Sequence, residues 1–152
     1  NKLFQKTAEN YALPSQVKET VEAMSDEARQ GTVANVMSAD LTTISAGWSI
    51  NQAIDEFQKH PHSVYPVLDA DGKVLGLLRR SAAYEWLKNH GLDCEHKISE
   101  LPLVVPFKVT AETKVVDMME DFMHSGATKA VVMDAEGKLK GMVTVFDLLK
   151  GR

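Results

Sequence analysis

The sequence predicts an α+β protein built from two β-α-β-β-α repeats behind an N-terminal helix. Three observations carry that prediction. Shifted against itself by 65 residues, the chain aligns Asp69-Ala-Asp-Gly-Lys-Val-Leu-Gly76 with Asp134-Ala-Glu-Gly-Lys-Leu-Lys-Gly141, five of eight positions being identical. The same gap-free shift pairs Ala46 with Ala111, Phe57 with Phe122 and Val67 with Val132. In both copies the apolar pattern then changes from a helical to a hairpin period at matching places.

Each element has a local reason. A short extended segment, Thr42–Ser45 or Phe107–Thr110, leads into a helix. Ser49 with Gln52 makes a capping-box start, and Ile50, Ala53, Ile54 and Phe57 follow on one face. In the second copy Val115, Met118, Met119 and Phe122 form that face behind Thr113. These stripes are core surfaces. A hairpin comes next: Val64–Leu68, the turn Asp69–Gly72 and Val74–Leu78, repeated as Ala130–Met133, Asp134–Gly137 and Leu139–Val143. Aspartate supplies local side-chain hydrogen bonds in such turns, and glycine tolerates positive φ. A closing helix spans Ser81–Asn89, with its counterpart running from Thr144 to the end. Ahead of the repeats, Ser15 is placed to cap a helix whose Val17, Val21, Met24 and Ala28 share a face, with Gly31 as its stop.

Composition bounds the function. The 152 residues hold 17 Lys plus Arg against 21 Asp plus Glu, a formal net charge of −4, with 44% hydrophobic and 25% charged residues. That apolar content excludes low-complexity disorder, and the acidic balance argues against a nucleic-acid partner. The most apolar stretch, Leu101–Phe107, is short and broken by Pro102 and Pro106, so no membrane span is expected. Cys94 is the single cysteine, which excludes an internal disulfide and predicts a reducing, cytoplasmic setting. The chain begins at Asn1 and not at methionine, so a fragment of a longer protein is expected.

Family resemblance enters through three motifs. They are Val36-Met-Ser38 leading into Leu41-Thr-Thr-Ile44, Tyr65-Pro-Val-Leu-Asp69, and Gly141-Met-Val-Thr-Val-Phe-Asp147. The last matches the pattern Gly-x-x-Thr/Ser-x-x-Asp at every required position. On these residues the chain resembles a tandem pair of CBS domains, named for cystathionine β-synthase. The resemblance divides it into a connecting segment at 1–32, a first repeat at 33–88, a linker at 89–97 and a second repeat at 98–152. It implies repeats packed sheet to sheet about a pseudo-two-fold axis, and a regulatory module that binds an adenosine-containing ligand between them.

The residues offer their own case for a site. A strand from Gly141 ends at Thr144, where a helix starts, and helix N-termini favour phosphate through unpaired amides and the dipole. Thr144 adds a hydroxyl, and the Asp147 carboxylate can accept from both ribose hydroxyls. The same Thr-x-x-Asp also reads as a capping pair that only satisfies helix amides. The resemblance further implies that Lys129 reaches ligand phosphate and that Thr42 and Thr43 face the cleft; by themselves the residues read equally as a solvated strand-edge lysine and as strand-favouring threonines. At the equivalent first-repeat positions stand Arg79 and Ala82, and alanine cannot hold a ribose, so one competent cleft is expected. Arg79 and Arg80 could still attract a phosphate or an acidic partner surface, and they read equally as exposed arginines at a helix start.

The expected function is a regulatory sensor of AMP, ADP, ATP or S-adenosylmethionine with no required cofactor. The alternative is a ligand-free dimerisation module with vestigial clefts. A homodimer is expected, as is a missing parent domain, a membrane transporter or an enzyme, which would make this chain a cytosolic part. No catalytic constellation stands out, and no enzyme activity is expected. His90, Asp93, Cys94 and His96 are spaced too loosely for structural zinc, so no metal site is expected.

Overall fold

The computed structural model describes residues 14–91 and 95–150. They form two compact units, one built from residues 41–105, the other from the chain on either side of them.

The unit at 41–105 holds β1 (Ile44–Ser45), α4 (Ile50–Lys59), β2 (Val64–Leu68), β3 (Val74–Arg79), α5 (Arg80–His90) and a 3-10 turn at Ile98–Glu100. β1 runs parallel to β2, which is antiparallel to β3, giving the order β1-β2-β3. The Ser49 capping box forms: the Gln52 amide donates to Ser49 Oγ (3.3 Å) and the Ser49 amide to Gln52 Oε1 (2.9 Å). Ile50, Ala53 and Phe57 are buried, with Ile54 half-buried beside them. Burial of Phe57 is worth roughly 1.5–3 kcal/mol on its own. Phe57 stacks on Tyr65 with ring centroids 4.8 Å apart. The Tyr65 hydroxyl donates to His60 O (2.6 Å) and accepts from the His62 amide (2.8 Å), which pins the loop between α4 and β2.

Residues on either side supply the second unit. Before residue 41 lie three helices, α1 (Pro14–Ala23), α2 (Asp26–Gln30) and α3 (Val33–Val36). After residue 105 come β4 (Phe107–Thr110), α6 (Val115–Ser125), β5 (Lys129–Met133), β6 (Leu139–Thr144) and α7 (Val145–Lys150). The sheet repeats the first topology, β4 parallel to β5 and β5 antiparallel to β6. Both hairpins carry the same irregularity of register, between Val67 and Leu68 and between Val132 and Met133. Val115, Met118, Met119 and Phe122 are buried as expected, and they pack with Met24, Ala28, Val33 and Val36.

One local expectation needs correction. The N-terminal helix is two helices, not one from Ser15. The first starts at Pro14, and Ser25 interrupts the pattern because its hydroxyl accepts from the Ala28 amide (3.1 Å) and caps α2. The Ser25 amide turns instead to Leu148 O (3.4 Å). Ahead of α6, Lys114 holds the N-cap position, and the Thr113 hydroxyl pairs with that of Thr110 at 2.8 Å.

The lead-in of each repeat is bonded into the unit formed by the other repeat's sheet. Val33 N donates to Thr113 O (2.8 Å), and Val115 N to Gly31 O (3.1 Å). Sixty-five positions along, Ile98 N donates to Trp48 O (2.9 Å), and Ile50 N to His96 O (2.8 Å). Further on, Ser38 bridges β6 at Met142, and Val104 bridges β3 at Leu77. The second-repeat bridge lies over Gly141, where an added Cβ would sit 2.8 Å from both Met37 Sδ and Ser38 O. Only glycine admits so close a backbone.

Candidate functional site

The strand pairing that closes the second sheet assembles the candidate site. β5 and β6 are antiparallel with Lys129 directly opposite Thr144, so the two side chains project from neighbouring backbone positions. The chain then turns into the six-residue helix α7, which brings Asp147 back to Thr144. The Thr144 amide donates to Asp147 Oδ2 (2.9 Å), and the Asp147 amide donates to Thr144 Oγ1 (3.2 Å). This reciprocal pair is a capping box, so the capping role expected of Thr-x-x-Asp is present. All three residues are half-buried, within reach of solvent yet held by the sheet and helix. Lys129 is thus paired by strand register with the threonine that Asp147 caps.

Thr42 and Thr43 lie in the other compact unit, half-buried in the irregular segment just ahead of β1. The structure therefore groups Lys129, Thr144 and Asp147 in one unit and the two threonines in the other.

At the matching corner of the first repeat, Val64 stands opposite Arg79, and Ala82 takes the place of Asp147. Arg79 occupies the N-cap of α5 with no side-chain capping bond. A cavity of about 250 Å³ lies there, lined by Arg79, Ala82, Glu85, Trp86, Asn89, His90 and Pro102. Trp86 and His90 were not among the expected site residues. Their i, i+4 spacing on one helix face was the available signal, and their rings stack with centroids 4.1 Å apart.

Asp93 and Cys94 fall outside the described residues. His96 meets the Trp86 ring edge-on at 4.7 Å, and its Nδ1 lies 3.3 Å from Glu100 Oε1. Among the described residues no cluster of three or more histidines, cysteines or carboxylates is placed to hold a metal. Nor is any described helix long and apolar enough to cross a membrane.

Comparisons with known proteins agree with the repeated architecture. A family model for the CBS domain matches residues 33–89 and 98–152. The magnesium and cobalt efflux protein CorC of Buchnera aphidicola subsp. Baizongia pistaciae is 30% identical over 113 residues, covering 72% of this chain and 38% of that protein. Inosine-5'-monophosphate dehydrogenase of Aquifex aeolicus is 27% identical over 109 residues, covering 71% of this chain and 22% of the enzyme. The chain spans well under half the length of both relatives, one an efflux protein and one an enzyme, so the likeness identifies a module and not an activity. Among solved structures, the CBS domain of a bacterial CNNM/CorC family Mg2+ transporter in complex with ATP is similar in fold. Its TM-score is 0.68 at 16% identity, covering 89% of this chain and 95% of that one. With family-model matches on both repeats and a shared fold, the chain belongs to the CBS domain family.

Proposed function

We propose that this chain is a regulatory module that binds an adenosine-containing nucleotide and passes the binding signal to a larger protein. The observation that carries the proposal is the grouping of Lys129, Thr144 and Asp147 at the end of β6. The Asp147 carboxylate accepts from ribose hydroxyls, and the Lys129 ammonium and Thr144 hydroxyl take phosphate oxygens. The ATP held by the CNNM/CorC neighbour supports the ligand class, and the CorC relatives support an efflux protein as parent; in such a parent this module would be a cytosolic part.

The segment before residue 41 provides the outlet for the signal. Its bonds bracket the motif: Ser38 exchanges backbone hydrogen bonds with Met142 (2.8 and 3.0 Å), and Ser25 N reaches Leu148 O (3.4 Å). A ligand that shifts β6 or α7 must disturb those bonds. Allosteric couplings of this kind are typically about 1–3 kcal/mol.

Titration calorimetry with adenosine, AMP, ADP, ATP and S-adenosylmethionine tests the reading. Binding by at least one is expected, at least about tenfold weaker in Asp147→Ala. Asp147→Asn keeps an acceptor for the Thr144 amide, so it should preserve stability while still weakening the ligand. Absence of binding, or unchanged affinity in Asp147→Ala, would sink the proposal.

Self-association belongs to the same reading. Val116 on α6 and Val145 and Leu149 on α7 remain 36–42% exposed, apolar surface suited to a second copy. Light scattering across a concentration series should give twice the monomer mass, and a constant monomer would remove the dimer.

A further inference from the structure

A second built groove lies in the unit at 41–105, against a face of α5 that does not line the Arg79 cavity. It measures about 650 Å³, and its walls include Phe57, Pro61, Ser63, Arg80, Ser81 and Tyr84. The walls are set before any ligand arrives. Phe57, 2% exposed, stacks on Tyr65 and meets Tyr84 edge-on with ring centroids 6.0 Å apart. The Arg80 amide donates to Ser63 O (3.0 Å), tying the loop to the helix, while the Tyr65 hydroxyl holds the same loop from below. A rigid pocket loses little entropy on binding.

Its chemistry is specific. Arg80 is half-buried, and among the described residues no carboxylate lies within ion-pair distance of its guanidinium. That isolation is notable in a chain with 21 acidic residues. A planar guanidinium suits bidentate capture of a phosphate or carboxylate. Tyr84 keeps 45% of its surface exposed and offers a ring for stacking. At the corresponding second-repeat positions Arg80, Ser81 and Tyr84 become Val145, Phe146 and Leu149. The cationic aromatic groove is therefore a property of the first repeat and not of the shared fold.

We propose that this groove binds a planar aromatic anion, its ring against Tyr84 and its phosphate or carboxylate on Arg80, with the Ser63 and Ser81 hydroxyls beside it. This site does not depend on the nucleotide reading, because it shares no residue with Lys129, Thr144 or Asp147.

Phenyl phosphate and benzoate, titrated into the 152-residue chain and followed by NMR at the Tyr84 ring and the Arg80 Nε–H, test the proposal. Saturable shifts at both groups are expected with at least one probe. Affinity should fall about tenfold in Arg80→Gln and in Tyr84→Ala, recover in part in Arg80→Lys, and stay unchanged in Asp147→Ala. Inorganic phosphate should bind several-fold more weakly than phenyl phosphate. Amide dispersion in each variant confirms that the fold is retained. No saturation by either probe overturns the proposal, as does an affinity in Arg80→Gln within about twofold of the unaltered chain. Loss of binding in Asp147→Ala places the probe elsewhere and overturns it equally.

Discussion

At Gly141 the nucleotide motif has a backbone reason that precedes any ligand. Met37 and Ser38 cross directly over it, and Ser38 is bonded to the next residue, Met142, in both directions. Gly141→Ala would drive a methyl group into a carbonyl that cannot retreat without breaking those bonds. It should cost about 1–3 kcal/mol in a urea titration, with nucleotide affinity falling only as the bridge loosens. Thr144 and Asp147 show how far single residues were legible. Their spacing fits both a helix cap and a ribose clamp, and the structure realises the cap with bonds of 2.9 and 3.2 Å. Removing one side of such a box costs about 0.5–2 kcal/mol. Asp147→Ala must therefore be compared with Asp147→Asn before lost binding is assigned to lost recognition. Tyr84 carried no signal in the sequence, and Arg80 only a general one, a basic residue beside Arg79 able to attract a phosphate or an acidic partner surface. Arginine at a helix start reads as an ordinary solvated residue until the tertiary structure leaves it beside an aromatic wall.

Elements set by short-range chemistry were legible almost to the residue. Aspartate and glycine at fixed places make both hairpin turns: Asp69 Oδ1 accepts from the Asp71 and Lys73 amides, and Asp134 Oδ1 from the Glu136 and Lys138 amides. Gly72 and Gly137 follow with φ of 82° and 84°. The amide of Lys138 is the main cause that holds the Asp134 carboxyl below the usual aspartate range; desolvation opposes it, and the Glu136 amide and the charge of Lys140 add to the lowering. A carboxyl depressed in the folded state adds stability above its unfolded pKa and loses it as pH falls through the folded value. The second hairpin should thus weaken below about pH 4, the ordinary aspartate range. Urea midpoints from pH 6 to pH 2 check this: Asp134→Ala should be less stable at neutral pH and converge on the unaltered chain in acid. The N-terminal helix was misjudged for an equally local reason. Apolar periodicity runs unbroken through Met24 and Ala28, yet Ser25 between them is a strong N-cap residue, and its hydroxyl restarts the helix.

Long-range exchange of the lead-ins left no periodic trace, because backbone bonds between distant segments do not depend on side-chain pattern. The repeat was visible, but which sheet each lead-in joins was not. The result is one unit made of continuous chain and another made of two separated stretches. Residues 41–105 alone should therefore fold cooperatively, with Trp48 and Trp86 giving a sharp near-UV dichroism transition. Residues 106–150 alone should not fold until residues 14–40 are added as a peptide. A structured 106–150 fragment without that peptide would contradict the arrangement. During synthesis the same division imposes a delay. Met24, Ala28, Val33 and Val36 emerge well before the residues that bury them, from Val109 to Leu148. The nascent chain must carry an uncovered apolar segment while its continuous unit is completed. A slowed ribosome between residues 106 and 139 would lengthen the interval in which a chaperone, or another nascent copy, can occupy that place.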